Sequence, residues 1–149
     1  MERHLQKCKE ARSVAASVGM KQPYTDLSDD DFEYSQRVCT YIQEKSLMPA
    51  TREQAASVVA SMLGAYAFGL SRDKHELTNK LDKYVDQLDD QPYWAIKKAE
   101  KTAIRNFKDR EPTPSQFRDE CLKHTVDLRW ALYDLKKLEK ERDNGNATV

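Results

Sequence analysis

The run from Thr113 to Arg142 predicts one uninterrupted helix, and a helix of that length limits how the rest of the chain can pack. Thr113 is an N-cap residue, Pro114 suits the first helical position, and Gln116 can reach back to the cap backbone, so three neighbours agree on the start. Beyond it Phe117, Cys121, His124, Leu128, Ala131, Leu135 and Leu138 recur at alternating spacings of four and three. That is a heptad seam over about three repeats, and it predicts a buried stripe on which shorter helices pack.

The segments before it also read as helices. Residues 3–18 carry a narrow stripe of Leu5, Cys8, Ala11, Val14, Ala15 and Val18, closed by Gly19. Asp29, Asp30 and Asp31 favour the N-terminal end of a second helix over 29–46, with Phe32, Val38, Cys39 and Ile42 facing inward. Thr51 and Gln54 form a capping-box pair ahead of Ala55, Val58, Val59, Met62, Leu63 and Tyr66, the most hydrophobic helix and the expected centre of the core, with Gly69 as its stop. Ser71 or Asp73 opens a helix bearing Leu77, Leu81, Tyr84, Val85 and Leu88. Pro92 sits in the first turn of another, over 92–108, with Trp94, Ala95, Ala99, Ala103 and Phe107 inward. No stretch alternates as a strand does, so the expected fold is all-α: a compact bundle of about six helices with one long C-terminal helix. A single helical domain over 1–142 and a flexible tail over 143–149 complete the expectation.

At 149 residues the chain can bury a core without staples. Lys plus Arg equals Asp plus Glu at 25 each, so no global field drives it onto nucleic acid or acidic lipid, and any DNA contact has to be local. The charge is polarised: residues 20–48 are net acidic and residues 92–110 net basic. Cys8, Cys39 and Cys121 form no close pair and leave an odd one over, which suits a reducing compartment. With neither a signal-peptide core at the start nor an apolar run near the ~18 residues of a membrane span, a cytoplasmic protein is expected.

Two features can carry function. Lys97, Lys101, Arg105 and Lys108 share a face of the 92–108 helix, a basic stripe suited to a phosphate backbone, to an acidic partner surface, or simply to solvent. Trp130 and Tyr133, with Val126, lie off the heptad seam yet are apolar, so either a partner beyond the domain meets this second side or shorter helices of the chain wrap both. Catalytic and metal readings find less. Cys121, His124 and Glu120 sit within one turn, but no second cluster supplies the remaining ligands of a zinc site. His75 and Glu76 lack the second histidine of a metalloprotease motif, and the 4 glycines, at 19, 64, 69 and 145, build no phosphate loop. The expectation is a protein without enzymatic activity, cofactor or metal.

The residues Pro112, Thr113, Pro114, Gln116, Phe117 and Cys121, preceded by Leu81, Tyr84, Val85, Leu88, Pro92, Tyr93, Trp94, Ala95, Ile96 and Ala99, resemble a segment of phage replicative-helicase loaders, the lambda-type replication protein P group. The resemblance covers about residues 77–124 and implies a phage replication accessory protein that binds the host's hexameric replicative helicase as loader or inhibitor, with no nucleotide site of its own. On the reading of a helicase-binding accessory protein, Lys97, Lys101, Arg105 and Lys108 are expected to lie towards DNA or the helicase, and the Trp130 and Tyr133 side to hold a partner. Small size and polarised charge equally suit a phage inhibitor of a host defence machine, of the anti-CRISPR kind. A structural homodimer joined through the Phe117 to Leu138 seam is the third reading.

Overall fold

The structure, a computed structural model, describes residues 28–147, with side chains through 144. Among the described residues there are five α-helices: α1 (Asp29–Tyr41), α2 (Arg52–Gly64), α3 (Lys74–Asp86), α4 (Tyr93–Asn106) and α5 (Pro114–Ala147). The expected helix over 3–18 lies outside the described residues, as do Cys8 and His4. No strand forms among the described residues, and none of their helices is long and apolar enough to cross a membrane. The chain divides into two compact units where the sequence reading has one domain: Met48–Thr125, and Met1–Leu47 with Val126–Val149, the latter described over 28–47 and 126–147.

In the unit Met48–Thr125 the hub is α2, which packs against both α3 and α4. Its start is the capping box read from sequence: Gln54 N–H donates to Thr51 Oγ1 at 3.1 Å and Thr51 N–H donates to Gln54 Oε1 at 3.0 Å. Val59, Met62 and Leu63 are fully buried, joined by Val85 and Leu88 and by Ile96, Ala99 and Ala103. Phe117 and Cys121 from the first turns of α5 complete this core, with the Phe117 ring edge-on to Tyr84 at 6.4 Å. Truncating a buried Phe such as this one to Ala costs about 3–5 kcal/mol. The packing thus centres on α2, not on the long helix, because α2 is apolar on more than one side while α5 buries a stripe.

Loop chemistry fixes the ends of these helices. Ala50 N–H donates to Gln91 C=O at 2.9 Å in an isolated bridge at Pro49 and Pro92, which ties the entries of α2 and α4 together. Pro92 caps α4 from outside instead of filling its first turn, and α4 ends at Asn106, two residues short of the expected end. Gly69 is likewise not the stop of α2. The helix ends at Gly64, and residues 65–70 turn back so tightly that a Cβ on Gly69 falls 1.9 Å from Leu63 C=O. Lys80 Nζ donates to Gly69 C=O at 2.7 Å and pairs with Glu111 at 2.6 Å, and Tyr66 donates to Phe107 C=O at 2.6 Å, so both loops are pinned.

In the other unit, Ser28 caps α1 by accepting from Asp31 N–H at 3.1 Å, with Asp29, Asp30 and Asp31 in the first turn as expected. After Tyr41 the helix widens into one π turn, Ile42–Ser46, closed by Leu47 N–H donating to Ile42 C=O at 2.8 Å. Cys39 and Ile42 are buried, and Phe32 and Val38 half-buried. From α5 this unit buries Leu128, Ala131, Leu135 and Leu138. Arg142 pairs with Asp29 and lies 4.1 Å from the Phe32 ring centroid, while Cys39 lies near Lys136 and Glu139, so α1 and this part of α5 run antiparallel. The helix continues through Ala147, past the expected end at Arg142 and into the segment expected to be a flexible tail, of which 148–149 lie outside the described residues.

Candidate partner-binding surfaces

On α5 the expected seam is buried at Phe117, Cys121, Leu128, Ala131, Leu135 and Leu138. It is therefore occupied within the chain, and the residues proposed to join two copies face the interior of one. His124 is the exception: it is half-buried, and Thr125 at the next position is fully buried instead. Opposite this stripe runs a second line at heptad spacing, Val126, Trp130, Tyr133, Lys137 and Lys140. Trp130 is 61% and Tyr133 58% exposed, and their rings meet edge to face at 5.8 Å and 85°. Tyr133, Lys136, Lys137 and Lys140, with Glu141 and Asn144, line a shallow cavity of about 480 Å³. The two aromatic residues singled out from the sequence are thus brought together, on an exposed helix face whose next turns are basic.

In the unit Met48–Thr125, Lys97, Lys101 and Arg105 are exposed along one side of α4. Lys108 does not share that helix face as expected, because the helix has ended. Phe107 leaves helical geometry at φ −111° and ψ 81°, and Lys108 lines a surface cleft of about 480 Å³ with Arg110 and the 65–69 turn. The cleft carries a residue the sequence reading missed, Phe68, 95% exposed. Its signal was the earlier glycine: a helix ending at Gly64 puts Phe68 on a loop, whereas one ending at Gly69 makes it a last-turn residue. Tyr93 was also missed as a surface residue; Lys97 lies 5.2 Å above its ring, as Lys98 lies 5.5 Å above Trp94.

Of the residues considered for metal binding, Cys121 is fully buried, and His124 and Glu120 have partners on neighbouring residues. Burial pushes the Cys121 thiol up to about 12. His124 Nε2 is 3.3 Å from Thr102 Oγ1, and burial, with Lys98 and Lys123 nearby, holds its imidazole below the ordinary value. Burial alone would raise Glu120, but hydrogen bonds from Lys123 at 2.7 Å, from Thr102 and from Asn106 outweigh it and hold the carboxyl below its usual range. No protein-family profile, curated protein or solved structure matches this chain.

Proposed function

We propose that this chain is a phage-type replication accessory protein that binds the hexameric replicative helicase of a bacterial host in fixed stoichiometry, as loader or inhibitor, in the host cytoplasm. The choice of partner rests on the resemblance carried by Pro112, Thr113, Pro114, Gln116, Phe117 and Cys121 and the residues that precede them. The observation that carries a binding role is the exposed Trp130 and Tyr133 pair on a helix anchored by its opposite side. Trp and Tyr are enriched where binding energy concentrates, and a pair already set on a packed helix loses little freedom on docking. Binding of this kind needs no cofactor and no catalytic group.

Mixing the purified protein with a purified bacterial replicative helicase, followed by sizing with light scattering, tests this. The expected result is a complex of defined mass. Trp130→Ala combined with Tyr133→Ala is expected to weaken it at least about tenfold, or about 1.4 kcal/mol, with helicity unchanged. No complex with the unaltered chain removes the helicase as partner, and a complex indifferent to the double substitution removes the aromatic pair as its interface.

A further inference from the structure

We propose that the exposed side of α4, bearing Lys97, Lys101 and Arg105, is a binding surface for the sugar-phosphate backbone of duplex nucleic acid, engaged without regard to base sequence. Lys97, Lys101 and Arg105 succeed one another at about 6 Å of helix rise per step. A duplex presents one negative charge per about 1.7 Å of its axis, so a rigid row of this length faces several phosphates at once. Among the described residues Lys97, Lys101 and Arg105 have no carboxylate within ion-pair reach, so they can neutralise phosphate. The nearby acids Glu100 and Glu111 are turned to other partners, Glu100 accepting from Ser61 Oγ and Glu111 pairing with Lys80. Asp109 remains beside the row, in the cleft lined by Lys108 and Arg110.

The chemistry of the row favours a duplex over the other polyanions. A single strand is held by stacking its bases on open aromatic faces. Here the two rings of α4 each carry a cation of their own: Lys97 lies over Tyr93 and Lys98 over Trp94. Among the described residues the one wholly exposed ring, Phe68, lies off the helix in the cleft with Lys108, away from the row. An acidic protein is disfavoured on different grounds. Interface cores are depleted in lysine and built on apolar anchors, and along this side only Ile104 and Tyr93 are apolar, each just 37% exposed. Lysine and arginine on a helix without stacking platforms instead match backbone contact, which positions a protein on duplex without reading bases.

This inference stands on α4 and not on the helicase reading, so each can fail alone. Its test is fluorescence anisotropy of the full chain with a labelled mixed-sequence DNA duplex between about 50 and 200 mM salt. The expected logarithmic salt slope is about −0.9 for each phosphate contact, hence about −3 for the three cations of this row, and equal for two unrelated sequences. Lys101→Gln and Arg105→Gln should each weaken binding and make the slope shallower by about 1, while Lys45→Gln, in the other unit, leaves both unchanged. Circular dichroism of each variant confirms that the helices persist. Absence of duplex binding at the low-salt end, tighter binding of the single strand or of polyglutamate, or a slope indifferent to Lys101→Gln and Arg105→Gln would each overturn the proposal.

Discussion

Gly69 and Gly64 are separated by one turn of backbone and are expected to answer the same substitution in opposite ways. A Cβ on Gly69 would lie 1.9 Å from Leu63 C=O, which is backbone and cannot rotate aside, so Gly69→Ala forces the 65–70 turn apart. A loss of about 1–3 kcal/mol and a lower thermal midpoint are expected, the range of a steric insertion into a packed site. At Gly64 the nearest atom is Leu70 Cδ1 at 3.6 Å, ordinary contact, and the residue is helical. Gly64→Ala should therefore stabilise by about 0.4–1 kcal/mol through the unfolded chain. Glu120 gives a residue-scale prediction with pH. Its carboxyl is held below the ordinary range in the fold, so its contribution is present above the unfolded value and lost as pH falls through the folded one. Denaturant unfolding should show Glu120→Gln less stable than the unaltered chain at neutral pH, with the difference narrowing as pH drops below the ordinary glutamate range. A difference that stays constant into acid would show that the carboxylate's charge contributes nothing.

At the scale of the element, α5 begins where its chemistry says it must: Gln116 N–H donates to Thr113 Oγ1 at 3.2 Å and Thr113 N–H donates to Gln116 Oε1 at 2.9 Å. Thr113→Ala removes one of these bonds from the helix that delivers Phe117 and Cys121 to the core, and should cost about 0.5–2 kcal/mol in denaturant unfolding. A loss below a few tenths would mean the start is held by packing alone. Features of this kind were legible because they are local. Capping residues name their own partners three positions away, and a stripe at spacings of three and four names its own face. What was not legible required knowledge of other segments. His124 and Thr125 both fit the period between Cys121 and Leu128, and only the packed fold decides that Thr125 is fully buried while His124 stays half-buried beside Thr102 of α4. Gly69 offered a stronger stop signal than Gly64, yet the chain turns at Gly64 because Gly69 is needed for a close approach to Leu63. The end of α4 at Asn106, and with it the departure of Lys108 from the basic side, coincides with a bond that no local pattern names, Tyr66 donating to Phe107 C=O across 41 positions. The exposure of Trp130 and Tyr133 was half legible: their phase put them off the buried seam, but only the packed fold leaves them uncovered among the described residues.

For the whole molecule, a net charge of zero conceals two surfaces of unlike chemistry, and each belongs to a different compact unit. The aromatic pair lies in the unit that includes Val126–Val149, and the basic side of α4 in Met48–Thr125. They share no residue, so their contributions to binding should be independent, and independent sites add within about 0.3–0.5 kcal/mol, about a factor of two in affinity. Two double substitutions then separate the functions. Trp130→Ala with Tyr133→Ala should lose the helicase complex while its affinity for duplex stays within about twofold of the unaltered chain. Lys101→Gln with Arg105→Gln should lose duplex binding while the mass of the helicase complex is retained. Sizing and anisotropy on the four proteins check both halves, with the unaltered chain and the quadruple variant as limits. If instead either pair of substitutions removes both activities while helicity holds, the two surfaces act as one. In that case a saturating helicase would have to change the affinity for duplex by the same factor by which duplex changes the affinity for helicase, since coupling between two binding sites is reciprocal.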